Sequence, residues 1–214
     1  MGLLRWWKRS MTPAGFEEQV AEAQRALGFT YDNPGTLPEL DPPPALLSFG
    51  EQPSVGYVLS GRRGHARAHL FSFGCLVERA HIKDQTILDP SSQSGLELLL
   101  YLDPGRPGQV PVHRSGALVD LPEARPGRVK VVAAELYSRE PYPNQRHQVS
   151  GDDVYAVDDC DQGRLALFLE PRRGHSFEVA AGYALCLAPV VGPARIESVL
   201  QTLEQFVWLL PPPA

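Results

Sequence analysis

The chain has 214 residues, a formal net charge of −5, 43% apolar residues and 21% charged residues. That length builds one substantial core or two small ones, and the apolar share is too high for a disordered chain. The acidic balance argues against general nucleic-acid binding, which needs a basic surface to displace counterions, and leaves room only for a local basic patch.

In chain order, "MGLLRWWKRS" comes first, setting Leu3, Leu4, Trp6 and Trp7 beside Arg5, Lys8 and Arg9. One reading is a peripheral membrane contact, with aromatics at headgroup level and cations toward anionic lipid. The other is a short helix packed on the protein's own core, or a frayed tail. Ten residues make a marginal helix, which weighs toward the second.

A helix is expected from Thr12 to Leu27. Thr12 serves as N-cap, Pro13 sits in the first turn, Glu17 and Glu18 lie near the positive end, and Gly28 follows the last turn. Phe16, Val20, Ala23 and Leu27 form its apolar stripe. The proline-rich "DNPGTLPELDPPPA" (Asp32 to Ala45) then reads as an extended linker crossing the surface in polyproline conformation.

From Leu46 onward, 21 prolines and 19 glycines in the whole chain favour short strands and turns over long helices. "SVGYVLSG" and "HARAHLFSFGC" read as a hairpin turning at Gly61 to Gly64. "LELLLYL", "GQVPVHR", "GALVDL", "RVKVVAAELYS" and "SFEVAAGYALCLAP" supply further strands, while "VYAVDDCDQGRLALFLEP" fits either a strand in its second half or a helix from Ala156 onward interrupted at Gly163. Ile196, Val199, Leu200, Leu203, Phe206, Val207 and Leu210 trace a helical stripe from Ala194 to Leu210, suited to capping a sheet face.

The densest group of reactive side chains lies on the hairpin: Arg62, Arg63, His65, Arg67 and His69. With period-two alternation and no bulge, Arg63, His65, Arg67 and His69 share one face and Ala66, Ala68 and Leu70 the other. The five are the candidate anion-binding residues, since concentrated positive potential attracts an anionic ligand or protein partner even on an acidic protein. The bland alternative is a charged strand blunting a sheet edge against aggregation.

A zinc site built on His65 and His69 would need Cys75 or His81, without the tight ligand spacing such sites show, so no metal is expected. The acidic run Asp152 to Asp161 fits no calcium-loop register. No nucleophile elbow, phosphate loop or dinucleotide fingerprint occurs, so no cofactor is expected. Cys75, Cys160 and Cys186 lack any C-x-x-C pair, so neither a disulfide framework nor a zinc ribbon is indicated. Cys160 sits among aspartates, Cys186 reads as core, and Cys75 has electropositive neighbours but fits a packed thiol. A reducing cytoplasm suits this usage, with the inner membrane face as an option through the N-terminus. No apolar run reaches the roughly 20 residues a membrane span needs, and no signal peptide is read at the start.

"GYVLSGRRGHARAHLFSFG", "HQVSGDDVYAV", "LALFLE", "SFEVAAGYALCLAP" and the closing helix resemble, in that order, a loosely defined group of uncharacterised bacterial proteins. The resemblance implies an α+β domain of unknown function and transfers no site residue.

The expected fold is therefore α+β, a largely antiparallel sheet with amphipathic helices at both termini covering sheet faces. Residues 1–45 form an N-terminal segment, helix and proline-rich linker, and residues 46–214 a β-rich domain with a division into two lobes falling near 115–125. The expected role is a non-enzymatic binding or assembly module. The alternative is a metal-dependent or hydrolytic enzyme using His65, His69 and Cys75.

Overall fold

The computed structural model describes residues 16–32, 35–78, 109–122, 127–133, 147–151 and 162–210. Among the described residues there are eight strands: β1 (Thr30–Asp32), β2 (Glu51–Arg63), β3 (Ala66–Glu78), β4 (Gln109–Asp120), β5 (Val129–Ala133), β6 (His147–Gly151), β7 (Ser176–Ala180) and β8 (Tyr183–Pro189). The α-helices among them are α1 (Phe16–Leu27), α2 (Gln162–Leu169) and α3 (Glu197–Leu209). The strands form one sheet ordered β1-β2-β3-β4-β8-β7-β5-β6, and every pairing is antiparallel. The fold is α+β, with amphipathic helices near both ends of the chain.

Alternation gives the sheet two apolar faces. On the first, Leu59, Ala68, Leu70, Ala117, Phe177, Ala184 and Cys186 meet Val20 and Ala23 of α1, Leu165 and Leu169 of α2, and Val199, Leu200, Leu203 and Phe206 of α3. Phe177 and Phe206 stack at 4.3 Å between ring centroids. The α3 stripe thus packs as its spacing predicts, and Gly28 ends α1 at φ +67° with its N–H donated to the Gln24 carbonyl at 2.8 Å.

The second face holds Val58, Phe71, Phe73, Cys75, Val77, Leu118, Leu185 and Leu187, and no helix packs against it among the described residues. Residues 35–50 lie against it instead. Leu46 is fully buried, with Leu37, Leu40, Leu47 and Phe49 packed alongside, and a short 3-10 turn spans Ala45–Ser48. The proline-rich stretch is therefore a strap over the core and not a surface linker. Leu37 and Leu40 among the prolines, and Leu46, Leu47 and Phe49 after them, supply the apolar contacts that hold it down.

Two further sequence readings change, and one left open between strand and helix is settled. "GQVPVHR" and "GALVDL" are one strand, β4, which pairs with β3 along its length but with β8 only from Arg114 to Asp120. That leaves Pro111, with no N–H to give, outside the β4–β8 ladder. Gln162–Leu169 is helix, because Leu165 and Leu169 reach the first-face core and Phe168 packs on Phe177 and Phe206. The hairpin turns at Gly64 and His65, Gly64 taking φ +62°. Gly61 remains inside β2 because the Phe29 ring lies over it and leaves no room for a Cβ. "LELLLYL", the acidic run 152–161 and the predicted first turn of α1 lie outside the described residues.

Candidate functional site: the hairpin tip and the strap anchor

The shifted turn re-sorts the basic strip. Arg63 pairs with Ala66, Arg62 with Arg67, and Ser60 with His69. Because opposed residues in an antiparallel ladder share a face, Arg63 points to the helix-covered side, whereas Arg62, Arg67 and His69 lie on the second. His65 occupies the turn and is exposed. One shared face for Arg63, His65, Arg67 and His69 is thus corrected: the sequence assigned Gly61 to the turn, but packing on Phe29 keeps it in the strand.

Arg63 reaches α3, with Nη1 3.2 Å from Glu197 and Nε 3.4 Å from Glu204. All three side chains are partly exposed, so solvent screening keeps the clamp weak. Arg63→Ala is expected to cost under about 1 kcal/mol in urea unfolding. On the other face His69 Nδ1 and Ser60 Oγ are hydrogen-bonded at 2.9 Å. Burial lowers the His69 pKa from 6.5, Asp120 opposes that shift and Arg67 adds to it, so this ring charges only in mildly acidic solution. Arg62 and Arg67 stand directly opposed and exposed.

The residues of the metal or hydrolytic alternative do not converge. His69 and Cys75 are six strand positions apart, about 20 Å, and Cys75 is buried against the strap with its thiol pKa raised by burial. Among the described residues no group of three or more His, Cys, Asp or Glu side chains could hold a metal ion. His81, Leu3, Leu4, Trp6 and Trp7 lie outside the described residues. No described helix is long and apolar enough to cross a membrane.

A second polar centre escaped sequence reasoning. Glu178 of β7 points to the second face and is 0% exposed. The N–H groups of Ala45 and Leu46 donate to its Oε1 and Oε2 at 2.9 and 2.8 Å. The Tyr183 hydroxyl donates to Oε1 at 2.9 Å. Arg128 Nε lies 3.3 Å from the same oxygen as an ion-pair contact without hydrogen-bond alignment, and Arg128 Nη2 donates to the Pro43 carbonyl at 3.0 Å. Burial and the carboxylate together push the Tyr183 hydroxyl pKa up. The available signal was one charge inside the otherwise apolar run "SFEVAAGYALCLAP".

The other buried polar side chains also hold backbone. Ser72 Oγ accepts from the Tyr57 N–H at a bulge in β2, Ser176 Oγ accepts from the Ala133 N–H, and Ser115 Oγ accepts from the Val191 N–H. Cys186 is fully buried on the first face and its thiol pKa is pushed up by burial.

These features define an α+β protein whose antiparallel sheet carries helices on one face and a carboxylate-anchored strap on the other. No protein-family model matches the chain, and no curated protein matches it. Among solved structures, the crystal structure of the mycobacterial trehalose monomycolate transport factor A, TtfA, is similar: TM-score 0.58 at 13% identity, covering 94% of this chain and 99% of that one. At that identity the likeness concerns the fold.

Proposed function

We propose that the chain is a non-enzymatic binding module that docks an anionic partner on the tip of the β2–β3 hairpin through Arg62, Arg67, His65 and His69. The observation that carries this reading is the Arg62–Arg67 pair. Two guanidinium groups opposed across an antiparallel ladder repel one another, and an oxyanion placed between them relieves that repulsion by charge-assisted hydrogen bonds. Asp120 sits close enough to act on His69, so the tip is not purely cationic and prefers a compact, highly charged anion. The engagement of the buried polar groups with backbone supports a binding role over catalysis. So does the likeness to a protein named as a transport factor.

Titration with inorganic tripolyphosphate tests the proposal. Binding is expected to weaken as salt rises from about 0.05 to 0.3 M, where the Debye length falls from roughly 14 to 6 Å. It should strengthen at mildly acidic pH as His69 gains charge. Arg62→Glu with Arg67→Glu should abolish it, while Arg63→Glu, aimed at α3, should leave most of it. Binding that survives the double charge reversal would remove the hairpin tip as the contact surface.

A further inference from the structure

On its second face the hairpin tip carries several donors and a carboxylate. Arg62 stands opposite Arg67 across the β2–β3 ladder. The β3–β4 ladder matches Ala68 with Val119, and continuing it by one pair sets Asp120 across from Arg67. Opposed residues share a face, so a row across three strands reads Arg62, Arg67, Asp120 and spans two strand spacings, about 10 Å. Ser60 and His69 form the next row inward, joined by the 2.9 Å hydrogen bond between Oγ and Nδ1.

Arg67 and Asp120 are opposite charges on adjacent strands, and both charges are felt at the His69 ring. Yet among the described residues Arg62, Arg67 and Asp120 form no ion pair and no side-chain hydrogen bond. The two guanidinium groups offer donors, and the Asp120 carboxylate, partly exposed at the end of β4, offers only acceptors. A ligand lying along this row meets both kinds of group.

We propose that the tip takes inorganic phosphate in its hydrogen-bearing forms and that Asp120 selects it over sulfate, an assignment that rests on the hairpin-tip reading and narrows it. Sulfate presents acceptors only. It can satisfy Arg62 and Arg67, but it sets its own negative oxygens against the Asp120 carboxylate. Hydrogen phosphate turns that conflict into a bond, because two of its oxygens accept from the guanidinium groups while its P–O–H donates to Asp120, a charge-assisted contact of the strong class. His69 adds a donor through Nε2 whenever Ser60 donates to Nδ1 or the ring is charged. Selection then comes from the unpaired charge set against the wrong anion as much as from the contacts to the right one. Charge alone would give the reverse order, since in mildly acidic solution sulfate is the more negative of the two ions.

Equilibrium dialysis of the full chain against radiolabelled phosphate or sulfate, at pH 6 and fixed ionic strength, tests the selection, with tripolyphosphate as the reference ligand for the tip. Phosphate is expected to bind at one per chain and about tenfold tighter than sulfate, the size of one hydrogen bond to a charged group. Asp120→Asn keeps the shape of the side chain and removes its charge. It should erase the preference, chiefly by raising sulfate affinity, and leave tripolyphosphate binding in place. If the amide disturbs the end of β4, Asp120→Ala carries the same test. Sulfate binding as tightly as phosphate in the native chain, or a phosphate preference that survives the loss of the Asp120 charge, would overturn the selection while tripolyphosphate binding at the tip stands. Phosphate binding that survives Arg62→Glu with Arg67→Glu would place the ion elsewhere and overturn it too. A native chain that binds none of the three ions would remove the hairpin-tip reading and the selection together.

Discussion

Glu178→Ala is expected to lower the unfolding free energy by about 3–5 kcal/mol, the range for removing one partner of a buried ion pair. For a chain of this size that is a fall of roughly 10–15 °C in Tm. The substitution strands the N–H groups of Ala45 and Leu46, the Tyr183 hydroxyl and the Arg128 guanidinium together, and it leaves a cavity under the 3-10 turn. Tyr183→Phe removes a single donor and is expected to cost only about 1–2 kcal/mol. Glu178→Leu combined with Arg128→Leu removes both charges. It should recover part of the loss, because a buried pair replaced by apolar groups is often near neutral, but the two strap N–H groups stay unpaired and recovery should be incomplete. Urea unfolding followed by circular dichroism measures all four chains. A loss under about 1 kcal/mol for Glu178→Ala would show that the strap is held by its leucines alone.

The strap also shows where reading from sequence stops. A stretch of prolines between a helix and the first strand looks like a linker because its partners are remote: Ala45 meets Glu178 across 133 positions of sequence. No local propensity encodes that contact. The α3 stripe was legible because helical spacing and burial agree along one continuous segment, and Gly28 was legible because helix termination is local. At the hairpin the residue types were legible and the face was not. Two glycines framed Arg62 and Arg63, only Gly64 adopts positive φ, and Gly61 is glycine for the sake of the Phe29 ring. A two-residue difference in turn placement moved Arg63 from the candidate strip to the α3 clamp. The helical state of Gln162–Leu169 likewise depends on partners outside its own segment, Phe177 on β7 and Phe206 on α3.

Acidification from pH 7 to 5 is expected to destabilise the fold through its histidines before most carboxylates titrate. The His175 pKa falls from 6.5 to about 4, first through burial and then through the nearby Arg172 charge, with His147 and Arg114 adding to the repulsion and a backbone hydrogen bond at Arg172 opposing it. The ring stacks on Phe177 at 6.2 Å, and its carbonyl accepts from His147 Nε2 at 3.1 Å. Burial also lowers the pKa values of His147, His113 and His69. Each of these groups binds a proton more weakly in the folded chain than in the unfolded one. Stability is therefore flat above about pH 6.5 and falls as pH drops toward the folded value, since the unfolded state takes up the extra protons. For His175 alone the ceiling is about 3 kcal/mol at 1.36 kcal/mol for each tenfold change, of which about 1–2 kcal/mol is reached by pH 5 once partial solvent access of the ring is allowed for. Urea midpoints measured from pH 7.5 to 5 should show this decline in the native chain and a shallower one in His175→Gln, whose side chain does not titrate. Equal slopes for the two chains would place the acid sensitivity elsewhere.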